Sequence, residues 1–600
     1  CKPPCIVGGI RATRAVVLNM AALTAISLLV TTFLQGVFGQ QCNSIAVHQT
    51  WVGGWNATFF SDSSTASPTS FYVDLVFSHT VDDLLLVPSG TVTRINDRHY
   101  KVTIEDEELI SEPSISFEFD AHFPGPEIPA VVSAFLSDHG ETCDEYGIPT
   151  LPPSTDDNPC SPTGMEPYDY NQVLCLSLVF LELQRAGPLP ANNRVPWRQD
   201  SCLYDGDDIG HDLTGGYFDA GDHVKFGLPQ ATTATLLAWG MIEYRDGYEK
   251  AGQLEYGLDA IKWFTDYLLK THIGYFKVVG QVGQALVDHG YWGRPEDMTP
   301  ENMPRPSFIL DADNPGSDLV GETAAALAAA NIVFKDIDPE YAAKCLASAL
   351  DLYVFADEVR GLYTDSITDA IGFYTSDSYG DELCWAALWL YYATGDEYFL
   401  SAAKTHWNEF NIGEEWYFTL SWQKKHAGAM VLMAQLDGGQ EYVDLLQKHC
   451  DMIINDSPYL PGGLVYLGMW GTVRTANDAS FIILRAADLG IQPDEYITFA
   501  RAQVDYALGS SGQSYVIGYG PNFPTRPHHR SSSCPPPPAE CDGTWAYNQP
   551  APNPSSCWGG LVGGPAENIT WIDDRWDYVH NEVAIFCAFP GNLAAMASFS

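Results

Sequence analysis

A mainly α-helical domain, shaped as a barrel or toroid of helices and preceded by a small β-sandwich, is the fold class this 600-residue sequence predicts. Three observations predict it. Beyond Tyr168 apolar residues recur at helical spacing, in LEYGLDAIKWFTDYLLKTH, GETAAALAAANIVFK, DELCWAALWLYYATGD and KHAGAMVLMAQL. Long loops of Gly, Pro, Asp and Trp separate these runs with almost no strand signal, so function is expected on loops at one end. From Cys42 to Cys143 the pattern is instead short alternation (SFYVDLVF, HYKVTIE, SISFEFDAHF, AVVSAFL) broken by Ser, Asp, Gly and Pro.

Residues 1–40 read as a targeting segment. Arg11 and Arg14 precede an apolar run from Ala15 to about Phe38, and GVFGQQ supplies a cleavage point near Gly39. The run is also long enough for an uncleaved signal anchor. No later segment reads as a membrane span, so a secreted, extracellular protein without stable membrane association after cleavage is expected. Residues 41–144 form the sandwich. Residues 145–166, rich in Pro, Ser, Thr and Asp, form an extended tether, and 167–600 the helical domain.

Composition narrows the partners. A hydrophobic fraction of 46% fits a globular chain. A formal charge of -46 argues against nucleic acid and anionic membranes, and is silent about neutral substrates. Fourteen cysteines in a secreted chain invite disulfides. Cys42 and Cys143 bracket the sandwich and Cys534 and Cys541 flank a proline run, whereas Cys175 and Cys384, in apolar helical patterns, are expected as buried free thiols. No zinc-finger spacing and no HExxH occur. Asn56, Asn455 and Asn568 lie in glycosylation tripeptides.

Two acidic groups carry the chemistry. In GGYFDAGDHVKFGLP, Asp219 and Asp222 sit three apart. One Asp there suits a turn or helix cap; a second so near repels it and pushes one pKa up. WIDDRWDYVHNEVAIF holds Asp573, Asp574, Arg575, Asp577 and Glu582. Arg575 is expected to be held by its Asp neighbours. Glu582, between Asn581 and the apolar VAIF, is expected to be partly desolvated, the condition for a general acid near neutrality. Two carboxyl sets in different surroundings suit glycoside hydrolysis. One acid protonates the leaving oxygen. The other carboxylate activates water or attacks directly, and spacing does not choose between these.

The stretch NNRVPWRQDSCLYDGDDIGHDLTGGYFDAGDHVKFGLP is similar to the signature of glycoside hydrolase family 9, inverting endoglucanases with an (α/α)6 barrel. So are YWGRPEDM, PGSDLVGETAAALAAANIVF, YVIGYGPNFPTRPHHRSSSCP and LVGGPAENITWIDDRWDYVHNEVA, in the family's order. The resemblance implies Asp222 as general base, Asp219 as holder of the attacking water and Glu582 as general acid. For the inverting mechanism it implies carboxyls roughly 6.5–9.5 Å apart. Trp470 and Arg474 in MWGTVR, His528, His529 and Arg530 in PHHR, and His289 and Trp292 in DHGYWGRPED match sugar-contacting positions. Core packing is the other reading of Trp470. The partner implied is cellulose or a soluble β-1,4-glucan, bound by a monomer, with no cofactor required for the chemistry.

A structural calcium ion is implied at DSYGDEL, where Asp381 and Glu382 match and Asp377 and Ser378 replace the family's Ser and Gly; a later family Asp is Gln423. A first-turn charge pair at a helix start is the other reading of Asp381 and Glu382. Phe586 and Cys587 replace an Asp and a Tyr after the NEVA motif, and Phe218 a Tyr before DAGD. The small domain resembles a family 2 carbohydrate-binding module, with Trp51 at one cellulose-contacting position and Tyr100 as a substitute for another. The alternative function is a catalytically weakened glucan-binding protein; another is action on other β-glucans or chitin-derived sugars.

Overall fold

The computed structural model describes residues 157–414 and 419–599, together with the backbone of eight strands between Ser44 and Ser137. The chain divides into two compact units, Cys1–Pro149 and Thr150–Ser600. The first contains β1 (Ser44–Trp51), β2 (Gly54–Asp62), β3 (Phe71–Phe77), β4 (Asp83–Val87), β5 (Gly90–Asn96), β6 (His99–Ile104), β7 (Ser114–His122) and β8 (Val131–Ser137). They pair antiparallel in two sheets, ordered β1-β2-β7-β4 and β5-β6-β3-β8. The targeting segment, Cys42, Cys143, Asn56's side chain, the side chains of Trp51 and Tyr100, and the first part of the tether lie outside the described residues.

The second unit is built from helix pairs. Its long helices are α1 (Tyr170–Gln184), α2 (Gly227–Glu243), α3 (Leu254–Thr271), α4 (Ser317–Phe334), α5 (Pro339–Glu358), α6 (Gly380–Thr394), α7 (Glu397–Glu409), α8 (His426–Leu436), α9 (Gln440–Asp456), α10 (Thr472–Asp488), α11 (Pro493–Leu508) and α12 (Phe589–Phe599). Contacts run α2–α4–α6–α8–α10–α12 and back to α2, which closes an inner ring of six. Composition decides which helices go inside. α4 is buried at every residue but Ile332, and its alanines, Ala324–Ala326 and Ala328–Ala330, let neighbouring axes approach. α9 buries only Leu446, His449, Cys450 and Ile453, a single stripe facing the inner ring. The apolar helix α4 is long enough to cross a membrane, yet it is 94% buried inside the protein.

A small sheet, unexpected from the sequence, holds β9 (Lys225–Phe226), β10 (His272–Gly274), β11 (Lys277–Val282) and β12 (Ser307–Asp311). These strands are two to six residues long, too short for alternation to register. Two further results concern cysteine. Cys175 is not the free thiol expected; it is bonded to Cys160, because the end of the tether folds back along α1 and Gln172 donates to the Cys160 carbonyl (2.9 Å). Helical periodicity reports that Cys175 is buried and is blind to what it meets. Cys384 is a buried free thiol, and Cys534 and Cys541 are joined across the proline run.

Candidate active site

The loop between α1 and α2 carries both aspartates. The Asp222 carboxylate accepts the Val224 N–H (3.0 Å), and Asp219 N donates to the Val224 carbonyl (3.1 Å), which folds the intervening residues into a tight turn. β9 follows at once and pairs Phe226 with Gln281 and Lys225 with Val282. Beneath it Lys225 and Arg305 both bind Asp205 at 2.7 Å, all three fully buried. The turn is then tied to the C-terminal segment by its backbone. Ile585 N donates to Asp219 O (3.0 Å), Arg530 N to Gly221 O (2.9 Å) and His528 N to Asn581 O (3.0 Å). The Gly221 N–H reaches the Glu582 carboxyl itself. Residues 363 positions apart in sequence, Asp219 and Glu582, thus share one hydrogen-bonded frame.

Crowding sets the protonation states. Burial, and then the charge of Asp222, pushes Glu582 up to about 7 against the pull of Arg530, the Gly221 N–H and Arg474. The same two causes push Asp219 well above the usual carboxylate range, with Tyr374 opposing. Burial and Asp222 also push a fourth acid, Asp288, to about 7. Asp288 accepts the His223 N–H (2.8 Å), and ligating atoms of Asp222, Asp288 and His289 lie within 4.8 Å of one another. Asp222 is therefore surrounded by carboxyls biased to hold protons, each with Asp222's charge among the causes.

Sequence reasoning missed Tyr374, Asp288 and Asp205. The Tyr374 hydroxyl donates to Asp219 (2.5 Å), while the other Asp219 oxygen is buried without a partner among the described residues. Only DH in DHGYWGRPED hinted at Asp288, and nothing local marks Tyr374. Tyr374→Phe is expected to lower kcat roughly tenfold by releasing Asp219, with KM little changed, in steady-state assays on soluble glucan.

The candidate binding residues form a path of rings. Trp470 is 48% exposed, which removes core packing as its role, and it meets Tyr578 at 5.5 Å. Tyr578 meets His528 (5.9 Å), His528 meets Trp292 (5.1 Å), and Trp292 meets Tyr547 (4.7 Å). Arg530 lies over Trp292 (5.2 Å), donates to the His289 carbonyl, and keeps Nε and one terminal nitrogen buried without partners among the described residues. Arg474 stacks on Phe586 at 4.2 Å. His289 donates from Nδ1 to the Ala285 carbonyl (2.8 Å), since a carbonyl only accepts, and its ring packs on Phe373.

The model of glycosyl hydrolase family 9 matches residues 170–588. The chain belongs to glycosyl hydrolase family 9. It is 43% identical to Endoglucanase 4 of Bacillus sp. (strain KSM-522) over 453 residues, which is 72% of this chain and 69% of that protein. The endoglucanase structure from the termite Nasutitermes takasagoensis is similar at 52% identity and a TM-score of 0.71, covering 72% of this chain and 99% of that one. The cellulase Cel9M of C. cellulolyticum, solved in complex with cellobiose, is similar at 35% identity and a TM-score of 0.67, covering 72% and 100%. The protein is thus a glycoside hydrolase.

Three expectations for this family 9 site need correction. His529, expected at the sugar, is turned inward: Nε2 meets Gln184 Oε1 (2.9 Å) and Nδ1 accepts the Ser532 N–H. Gln184 in turn donates to the Ala220 carbonyl (2.6 Å), so His529 supports the base loop. Arg575 is held by backbone carbonyls of Gln549 and Ala551 and by Asn553, not by aspartates. Asp573 instead accepts from Thr525 and Arg526, and Asp577 binds His580. A buried guanidinium reaches whichever acceptors the fold brings, and adjacency in sequence is a poor guide to that. Third, among the described residues Asp377, Asp381 and Glu382 do not bring one ligating oxygen each within 4.8 Å of one another; Asp381 and Glu382 lie in the first turn of α6.

Proposed function

We propose that the protein is a secreted endo-β-1,4-glucanase that cleaves internal bonds of cellulose and related β-glucans by single-step inversion. The observation that carries this reading is the shared frame of Asp219, Asp222 and Glu582, with Glu582 pushed up to about 7. Asp222 removes a proton from water as the water oxygen bonds to the anomeric carbon. Glu582 gives its proton to the departing glycosidic oxygen. Asp219, held by Tyr374, positions the water. Proton exchange with solvent then restores both acids.

The ring path supports a polymer as substrate, because pyranose C–H faces stack on flat aromatics and several such contacts grip an extended chain. The relatives named as endoglucanases support the β-1,4-glucan class. Phe586 and Cys587 do not speak for lost catalysis. Phe586 packs under Arg474 and edge-on to Tyr374 (5.8 Å), and Cys587 lies against the buried Asp478 carboxyl, leaving all three carboxyls in place. The N-terminal unit is read as a glucan-binding module that uses Trp51, and residues 1–40 as its secretion signal; the bracketing Cys42 and Cys143 and the stretch HQTWVGGWNATF support this.

Proton NMR of a cellopentaose digest tests the mechanism. Inversion releases the α-anomer first, with the β-anomer growing only by mutarotation; β-anomer from the outset would overturn it.

A further inference from the structure

The segment after Tyr374 carries the acids expected to bind a divalent cation, and their oxygens are largely committed to positive side chains. Lys424 Nζ donates to Asp377 (2.5 Å) and to Ser378 Oγ (2.9 Å). The Ser378 hydroxyl donates to one Asp381 oxygen (2.7 Å), and the Ser378 carbonyl accepts from Ser376 (2.9 Å). The second Asp381 oxygen accepts the Lys425 N–H (2.7 Å) and lies 3.2 Å from His426 Nδ1.

Among the described residues, Glu382 is the acid of this segment that keeps both oxygens without hydrogen bonds, and one of them faces Lys425 Nζ at 3.5 Å. That ammonium also lies 3.5 Å from Glu322 and donates to the Ser421 and Trp422 carbonyls at 2.9 and 2.6 Å. Calcium takes roughly six to eight oxygen ligands from a flexible shell. Of this segment's own acids Glu382 alone offers two free oxygens, beside a buried ammonium, and it does not supply that number. Among the described residues, these acids do not bring three ligating atoms within 4.8 Å, whereas Asp222, Asp288 and His289 do.

We propose that the Lys424 ammonium, backed by Lys425 and His426, takes the place of a structural metal ion, so that this segment is ordered without calcium. Asp377 and Asp381, two of the acids a divalent cation would neutralise, are bound instead by the chain's own donors. The consequence reaches the catalytic frame, because the same segment leads from Tyr374, which holds Asp219, into α6. Lys424 lies next to Gln423, the position where the calcium set lacks a carboxylate. One substitution removes a ligand, and its neighbour supplies a positive charge.

Scanning calorimetry of the full chain in EDTA and in about 1 mM CaCl2, alongside elemental analysis of the purified protein, tests this. The expected result is a melting temperature equal within about 1 °C in both buffers, and no stoichiometric calcium. Lys424→Met is expected to melt roughly 1–3 °C lower in either buffer, because the Ser378 hydroxyl loses its donor and the solvent-facing pair with Asp377 is lost. A wild-type melting temperature that climbs by several degrees with calcium, or calcium retained at one ion per chain, would overturn the proposal. So would a Lys424→Met protein that melts like wild type. Should that variant fail to fold, the wild-type buffer comparison and the elemental analysis still decide.

Discussion

Replacing Glu582 with Gln is expected to lower kcat on carboxymethyl cellulose by roughly 10²–10⁴-fold while leaving the melting temperature in place. The two side chains have the same shape, and Gln keeps an oxygen for the Gly221 N–H that reaches the native carboxyl. Only the transferable proton is lost, and with it protonation of the leaving oxygen. Asp222→Asn is expected to cost a similar factor for the opposite reason, since an amide does not accept the water's proton. The wild-type pH profile gives an independent check. Glu582 must hold its proton to act, and its pKa is pushed up to about 7 by burial and Asp222. Activity is therefore present below that value and falls as pH rises through about 7. Reducing-end assays across pH, with the variants' circular dichroism melts, measure both. A Glu582→Gln enzyme within fivefold of wild type on a folded background would remove Glu582 from the acid's role.

Gly221→Ala is expected to be nearly as damaging, through the backbone instead of through chemistry. A Cβ at position 221 would sit 2.3 Å from the His528 carbonyl oxygen and 3.2 Å from His529 Cα. Neither neighbour yields easily. Gly221 O accepts from Arg530 N, His528 N is bound to Asn581 O, and the His528 ring meets the Arg575 carbonyl at 2.7 Å. The frame that joins base to acid must open to admit a methyl group. Overpacking of this kind costs about 1–3 kcal/mol. A displacement near 1 Å between reacting groups costs on the order of 10²-fold in rate. Melting temperature and kcat are expected to fall together, unlike Glu582→Gln, where only kcat falls. A Gly221→Ala protein with wild-type kcat would show that the turn and the His528 segment can separate without consequence.

These predictions differ in how far the sequence could have led to them. The carboxyls were picked out through the family resemblance that DAGD and NEVA carry; spacing and composition alone left their roles open. The helices were legible in the residues themselves: periodicity records burial, and α3, read from LEYGLDAIKWFTDYLLKTH, buries Leu258, Ile261, Phe264 and Leu268 at helical spacing. Strands of two to six residues in β9 to β12 carry no usable period, so the sheet that braces the base loop could not be read. The rings of Trp292 and Trp470 stood out as residue types, whereas their succession through Tyr578 and His528 did not.

By itself, the sequence determined which residues would be buried, which segments would be helical and which side chains could move a proton. The tertiary structure decided with whom each one is paired. Cys175 found Cys160, Arg575 found carbonyls in place of aspartates, His529 found Gln184, Lys424 found Asp377, and Tyr374 found Asp219. The physical reason is the range of the forces. Helix propensity and hydrophobic period act over a few residues along the chain. A hydrogen bond needs its partner within about 3.5 Å in space, and the shift of a buried acid depends on charges that chain closure delivers. Glu582 holds its proton toward neutrality because the fold buries it and sets Asp222 beside it from 360 residues away.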